Sequence, residues 1–226
     1  YALPYLKIFI NEGRGYLEST AMSYDLIQIS LLDSMTSSAG GMYSINENYL
    51  LTKEAMISCL KRLKPQGILS ISSWVRNPPR DVIKLMATLI EALEIIRQHV
   101  PAMSLVVIRS WQTATILVKN GEFNSLQIEA VKEYCRDRLF DIVYYPGVNQ
   151  SETNIYNELE NDYFYTAAIQ LLSPGRESFY DNFPFYIRPA SDNMPFFSHF
   201  FKIDLLKQYL YSSNQNFIPF MDWNYI

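Results

Sequence analysis

The chain has 226 residues, of which 49% are hydrophobic, 15% are aromatic and only 8 are glycine. This composition excludes intrinsic disorder, and no apolar run reaches the roughly 18 residues that a membrane-spanning helix needs. The net charge is −4, from 19 Lys and Arg against 23 Asp and Glu, and without a basic face it disfavours nucleic acid as a partner. No signal peptide is recognisable, so we expect a soluble protein of the cytoplasm.

Strand and helix patterns alternate through the first part of the chain. Runs rich in apolar and β-branched residues predict strands over residues 6–10, 25–30, 68–75, 105–109 and 113–119. Strands that alternate with helices favour an α/β fold with a parallel, doubly wound sheet, whose late strands form an antiparallel edge.

Two helices are predicted between these strands. Apolar side chains recur at helical spacing over residues 56–63, and Pro65-Gln66-Gly67 is expected to end that helix. The second helix is expected to begin at Asn77-Pro78-Pro79, with Asn77 as its N-cap, and to present one apolar face over residues 82–96.

The character of the sequence changes after Asn120. A helix over 126–139 and a strand over 140–145 are followed by a polar stretch at 149–161 and then by a segment crowded with aromatic residues. We interpret these aromatics as packing residues and not as a ligand site. The chain therefore divides into a first part, 1–121, and a C-terminal α+β extension, 122–226, that packs on it.

Cysteine and histidine offer little for metal or disulfide chemistry. Cys59 and Cys135 fall on two separate helix-like segments, which indicates buried free thiols in a reducing compartment. His99 and His199 have too few partner ligands for a zinc site. We therefore expect no metal.

Several short segments together resemble the spermidine synthase family, the aminopropyltransferase branch of the methyltransferase-like α/β fold. Residues 12–17 (EGRGYL) resemble the acidic-Gly element after the family's third strand, and 24–27 (YDLI) resemble the opening of its fourth. Residues 63–69 (LKPQGIL) resemble the lead into its fifth strand. Residues 140–147 (FDIVYYPG) and 191–197 (SDNMPFF) are similar to the large bacterial members, in which such a domain is joined to membrane spans.

The resemblance implies a role for five residues. Glu12 would accept a hydrogen bond from the adenine amino group of S-adenosylmethionine or its decarboxylated form, and Gly13 would let the backbone approach the ring. Ser30 stands where the family has a catalytic Asp, and Asp33 matches the second acid, so Asp33 becomes the candidate catalytic residue. Trp111 replaces part of the family's polyamine contact, and Ser30 and Trp111 are the candidate substrate-binding residues.

The resemblance also implies a Rossmann-like, S-adenosylmethionine-dependent methyltransferase-like sheet that lacks its first two strands. No Gly-x-Gly-x-x-Gly segment occurs, although such a fold binds its cofactor on a glycine-rich loop. We therefore expect a piece of a longer protein, associated with a membrane only through its parent chain, or a homo-oligomer that completes the sheet.

Three functions follow as hypotheses. The first is a transferase that moves an aminopropyl group to a small-molecule amine. The second is a non-catalytic binding or interaction domain of a membrane-associated protein, because Ser30 is a poor base. The third is a methyltransferase of unknown acceptor, since methyl transfer depends more on positioning than on a general base.

Overall fold

Five strands form one mixed sheet in the computed structural model of the protein, which describes residues 6–31, 47–96 and 100–202. The strands are β1 (Tyr24–Ile29), β2 (Leu63–Trp74), β3 (Leu105–Arg109), β4 (Thr113–Lys119) and β5 (Asp141–Tyr144). Their order across the sheet is β1-β2-β4-β3-β5. Strands β1 and β2 are parallel, whereas every other neighbouring pair is antiparallel. The α/β class and the antiparallel side of the sheet are confirmed.

The first predicted strand does not form. Residues 6–10 have no strand pairing, and their side chains are exposed, with Ile10 fully accessible to solvent. A β-rich run needs a neighbouring strand, because its preference for extended structure reflects packing on a sheet more than the backbone itself. Among the described residues β1 pairs only with β2, so the run at 6–10 finds no partner.

Seven α-helices and two short 3₁₀ helices accompany the described strands. The α-helices are α1 (Gly13–Ser19), α2 (Lys53–Lys61), α3 (Asp81–Ile96), α4 (Pro101–Ser104), α5 (Ser125–Arg138), α6 (Tyr163–Leu171) and α7 (Arg176–Asn182), and the 3₁₀ helices are Tyr49–Leu51 and Gln150–Glu152. No helix in these described ranges has both the length and the apolarity to cross a bilayer.

Two predicted helix boundaries are wrong. Helix α2 ends at Lys61, and Pro65-Gln66-Gly67 lie inside β2, where Gln66 has a φ of 67°. The pairing register of β1 with β2 shifts at this point, so the helix-breaking residues form an irregularity in a strand. Helix α3 begins at Asp81, after a cis Asn77–Pro78 peptide, so Asn77 is not its N-cap.

Helices cover both faces of the sheet. Along β3, Leu105 and Val107 point into the main core with α2, α3 and α6, whereas Val106 and Ile108 join a second cluster under α5. This alternation follows from the two-residue period of a strand. Helix α3 is buried on nearly all sides because helices and the sheet surround it, whereas its sequence predicted one apolar face.

The part of the chain after residue 121 continues the same sheet and core. Strand β5 pairs with β3, and Phe164, Tyr180 and Phe197 lie in the main core. The interpretation of the aromatic segment as packing residues is confirmed for these three. Cys59 and Cys135 are buried free thiols on α2 and α5, also as predicted.

Candidate functional site

A small cavity lies at the carboxyl ends of the parallel strands β1 and β2. Its volume is about 30 Å³, room for roughly one water molecule. The lining residues come from the end of β2 and the connection that follows it, from the start of α3 and from three other segments: Leu31, Leu51, Ile71, Ser72, Ser73, Trp74, Arg76, Asp81, Leu85 and Phe197. Ligands of open α/β sheets bind outside the carboxyl ends of the strands. We call this feature the carboxyl-edge cavity and treat it as the candidate site.

Charged side chains meet at one wall of the carboxyl-edge cavity. The Asp81 carboxylate lies 3.6 Å from Nε of Arg76 and 3.8 Å from Nε of Arg80. Arg80 is buried, and its guanidinium stacks over the rings of Phe185 and Phe200 at 5.5 and 5.6 Å. At this wall Asp81 therefore forms ion pairs with both arginines, and the Arg80 guanidinium is held against two aromatic rings.

Ser30 and Leu31 follow β1 at the same edge. Ser30 is exposed, and the next residue, Leu31, lines the carboxyl-edge cavity. The structure thus places a neutral hydroxyl at the end of β1, beside the candidate site. The predicted catalytic residue Asp33 and the loop at 34–41 lie outside the described residues.

Glu12 and Gly13 lie at the start of α1. Glu12 is the N-cap, and its carboxylate accepts hydrogen bonds from the backbone N–H groups of Arg14 at 2.9 Å and Gly15 at 2.6 Å. Gly13 has open space where a Cβ would stand. An ionised carboxylate has further acceptor positions, so Glu12 can cap the helix and still accept from an exocyclic amine. Neither residue lines the carboxyl-edge cavity.

Trp111 lies in the turn between β3 and β4, with 62% of its surface exposed. The backbone carbonyl of Gln112 in this turn accepts from the N–H of Val75 at 2.7 Å. The turn is therefore held beside the end of β2, at the same edge of the sheet as Ser30. Trp111 is not one of the residues that line the carboxyl-edge cavity.

A contact between Arg14 and Asp192 joins the segments at 12–17 and 191–197, and neither residue is among the site residues predicted from the sequence. Nη1 and Nη2 of Arg14 each lie 2.7 Å from a different carboxylate oxygen of Asp192. Asp192 also accepts from the Thr52 hydroxyl at 2.8 Å, and its backbone N–H donates to Glu54 at 3.0 Å. The hydrogen bonds from Arg14 lower the pKa of the Asp192 carboxyl, so it stays ionised. Their positions inside the segments at 12–17 and 191–197 were the available signal.

A buried lysine lies under the aromatic segment. Lys84 of α3 is 1% exposed, and its ammonium donates to the carbonyls of Phe196 at 3.2 Å and His199 at 2.9 Å. The rings of Tyr186, Phe197 and Phe200 lie within 5.1 to 5.6 Å of the ammonium. Burial lowers the pKa of Lys84 to about 7, with Asp81 acting in the opposite direction. The sequence pattern did not indicate this burial, because Lys84 is not one of the residues on the predicted apolar face of α3.

No group of three or more His, Cys, Asp or Glu side chains that could hold a metal ion occurs within residues 6–31, 47–96 and 100–202. The carboxylates near the candidate site are instead paired with guanidinium groups, as Asp81 and Asp192 show. Neither a protein-family model nor a curated protein sequence matches the chain.

Proposed function

We propose that this chain is a spermidine-synthase-like transferase domain with a Rossmann-like, methyltransferase-like sheet. In this assignment β1 and β2 correspond to the fourth and fifth strands of the family's sheet, and the earlier strands would lie beyond β1. A parallel pair followed by an antiparallel side is the arrangement expected for the later strands of such a sheet. The segments at 12–17, 24–27 and 63–69 occur in the chain order that the assignment requires.

The observation that carries the proposal is the carboxyl-edge cavity. It lies at the carboxyl ends of the only parallel pair among the described strands, and Phe197 of the 191–197 segment closes one side. The acceptor amine would bind at this edge, near Ser30 and Trp111, with Asp33 to orient it. The donor, S-adenosylmethionine or its decarboxylated form, would place its adenine at Glu12 and Gly13.

Aminopropyl transfer makes one bond and breaks another. The acceptor nitrogen forms a bond to the propyl carbon, the carbon–sulfur bond of the sulfonium breaks, and a neutral thioether nucleoside leaves. The nitrogen must also lose a proton, for which a carboxylate is suited and the Ser30 hydroxyl is not. In this proposal Asp33 accepts that proton.

Calorimetric titration of the chain with each nucleoside tests the donor site. We expect saturable heat that Gly13→Ala removes, because a methyl group at Gly13 would occupy the space given to the ring. The new Cβ meets no atom within 4 Å, so this variant should keep the wild-type melting temperature. The proposal fails if neither nucleoside gives heat or if Gly13→Ala binds as wild type does.

Donors labelled on the methyl group and on the aminopropyl group, each incubated with putrescine, identify the reaction. Incorporation of the aminopropyl label supports the aminopropyltransferase, and incorporation of the methyl label alone makes the chain a methyltransferase. Nucleoside binding without turnover of either label indicates a domain that kept the fold and lost the chemistry.

A non-catalytic interaction domain is the second candidate, and the state of β1 favours it. Leu26 of β1 is 54% exposed, and among the described residues β1 pairs only with β2. An apolar strand edge is a template for pairing with another strand, here from a second copy or from the parent chain. Sedimentation of the chain at increasing concentration tests this candidate, and a monomer throughout would argue against self-pairing.

A further inference from the structure

A second cleft lies between α5 and the segment that follows β5. Its volume is about 210 Å³, several times that of the carboxyl-edge cavity, with which it shares no lining residue. One wall is the face of α5 that carries Lys132, Cys135 and Arg136, and the opposite wall is the chain at residues 151–156. We call it the α5–β5 cleft. It plays no part in the function proposed above.

Four charged side chains line this cleft, and two of them are carboxylates whose oxygens already accept hydrogen bonds from the protein. Asp141 is 1% exposed and accepts from the backbone N–H groups of Ile155, Tyr156 and Asn157 at 2.6, 2.7 and 2.8 Å. The Asn157 side-chain amide adds a fourth hydrogen bond at 2.9 Å, and Arg109 supplies an opposite charge at 3.4 Å. The protein itself therefore supplies the hydrogen-bond donors and the opposite charge for the Asp141 carboxylate.

Glu152 and Lys132 form an ion pair at the opposite side of the cleft. Lys132 Nζ lies 2.9 Å from Oε2 of Glu152, and the Tyr145 hydroxyl donates to both Glu152 oxygens at 2.7 and 2.8 Å. The backbone N–H of Asn149 adds a further hydrogen bond to Oε1 at 3.2 Å. These hydrogen bonds, led by that from Tyr145, lower the pKa of Glu152 to about 2, so it is ionised and paired.

Arg136 is the remaining charge. Its side chain is exposed, it lines the cleft, and it makes neither a hydrogen bond nor an ion pair with any residue in the described ranges. The nearby walls are apolar, formed by Phe140, Ile142, Ile155 and Tyr156. The cleft thus combines one uncommitted guanidinium with an apolar surface.

We propose that the α5–β5 cleft binds a small apolar monocarboxylate, whose carboxylate pairs with Arg136 and whose aromatic or short aliphatic body packs on Phe140, Ile142 and Ile155. A guanidinium presents two parallel N–H donors to one carboxylate, which fixes the orientation of the acid as well as its charge. The apolar body gains from burial on side chains such as Ile155, which is 54% exposed.

The charge arrangement disfavours other ligands. A cation would find the carboxylates of Asp141 and Glu152 already saturated and would face Arg136. A phosphate dianion would bring a second negative charge toward those carboxylates, with Lys132 already held by Glu152. At about 210 Å³ the cleft is smaller than the pockets that hold drug-sized ligands, so its occupant must be a small molecule.

Methyl-labelled isoleucine NMR on the full chain tests the proposal. The probes are benzoate, its neutral analogue benzamide and the cation benzylamine. We expect benzoate to shift the methyl signals of Ile142 and Ile155 saturably, while those of Ile83 and Ile116, which are buried in the main core, stay in place. Benzamide should bind about tenfold more weakly, because it loses the charge-assisted pair, and benzylamine should not bind.

Two arginine variants make the test specific. Arg136→Gln should reduce benzoate affinity about tenfold, to the level of benzamide. Arg138→Gln is the matched control, because Arg138 is on the same helix and stacks on Tyr134 at 4.3 Å without lining the cleft. Its benzoate affinity should equal that of wild type.

Three results would overturn the proposal: no saturable shift of Ile142 or Ile155, equal binding of benzoate and benzamide, or benzoate affinity unchanged by Arg136→Gln. A peptide with a free C-terminal Phe serves as a further arm. If it shifts the same methyl groups at far lower concentration than benzoate, the occupant is a protein C-terminus and the small-molecule assignment is wrong.

Discussion

Arg14 and Asp192 are 178 residues apart in the sequence and form a bidentate ion pair, with Nη1 and Nη2 each 2.7 Å from a carboxylate oxygen. The pair ties α1 to the segment at 191–197, and the Thr52 hydroxyl at the start of α2 donates to the same carboxylate. One carboxylate therefore joins the exposed N-terminal helix, helix α2 and the segment whose Phe197 lines the carboxyl-edge cavity.

Asp192→Asn should destabilise the protein by about 1–2 kcal/mol. The amide has only one acceptor oxygen and cannot accept from both guanidinium nitrogens, so either Arg14 or Thr52 loses a hydrogen bond. The Asp192 side chain is about a third exposed, at 35%, so solvent limits the loss. Urea unfolding followed by circular dichroism measures the change in the free energy of unfolding.

Asp25→Asn is the matched control for this variant. Asp25 pairs with Lys64 at a similar distance, 2.8 Å, but its side chain is 83% exposed. Its replacement should leave the urea midpoint unchanged. Equal midpoints for Asp192→Asn and wild type would mean that the Arg14 pair does not hold α1 in place.

The sequence predicted where strands occur better than it predicted where the elements end and how far they are buried. Strands 25–30 and 113–119 formed within one residue because their apolar runs are long enough to define a strand without knowledge of the partner, whereas β2 begins at Leu63, five residues before the predicted start at 68. The run at 6–10 failed because pairing depends on a neighbour that the pattern does not reveal. Pro65-Gln66-Gly67 was assigned to a helix end, since a bulge in a strand and the end of a helix use the same residues.

The candidate site was harder to predict than the fold. Ser30 and Trp111 could be placed at the carboxyl edge because they follow or connect strands. The pairing of Arg14 with Asp192 could not, since it depends on how helices pack and not on any local spacing. The stretch at 149–161 is recognisable from the sequence only as polar, although three of its backbone N–H groups hold the buried carboxylate of Asp141.

Gly67 is a position where β1 and β2 leave no room for a side chain. A Cβ there would lie 2.9 Å from the backbone carbonyl oxygens of Lys64 and Tyr24, closer than a carbon and an oxygen can approach without displacement. Gly67→Ala should therefore cost about 1–3 kcal/mol in the free energy of unfolding. Gly13→Ala, which meets no atom within 4 Å, is the control and should stay within about 0.5 kcal/mol of wild type. Equal stability of the two variants would show that β1 moves away from the new Cβ without a loss in the free energy of unfolding.

Asp141 and Arg109 form a buried pair at the ends of β5 and β3. Their side chains are 0% and 2% exposed, and Nη1 of Arg109 is buried without a hydrogen bond among the described residues. Asp141→Asn should cost about 3–5 kcal/mol, because it leaves the guanidinium without its charge partner and removes an acceptor from the 155–157 backbone. Denaturant unfolding measures this, and exposed Asp137→Asn on α5 should change nothing. A loss below about 1 kcal/mol would mean that Asn154 and the Asn157 carbonyl suffice for Arg109.

Lys84 should make the stability of the protein depend on pH between about 7 and 10.5, because burial lowers its pKa from 10.5 to about 7 in the folded state. Over this interval the unfolded chain binds the proton and the folded chain does not, so the free energy of unfolding rises as pH rises. Below pH 7 the ammonium is charged in both states, and this contribution no longer changes with pH.

Lys84→Met isolates the effect, because it keeps an unbranched apolar stem among Tyr186, Phe197 and Phe200 and removes the proton. Urea unfolding at pH 7.0 and 8.5 should show a clear rise in stability for wild type and a smaller rise for the variant. The thiols of Cys59 and Cys135 begin to ionise in the unfolded chain near pH 8.5, since burial raises their pKa to about 11 while the unfolded value is 9.0, but both proteins carry them and their effect cancels in the comparison. His199 does not interfere, because burial and Lys84 hold its pKa below the usual 6.5. Identical slopes for wild type and Lys84→Met would mean that the two carbonyls and three rings stabilise the ammonium enough to offset its burial.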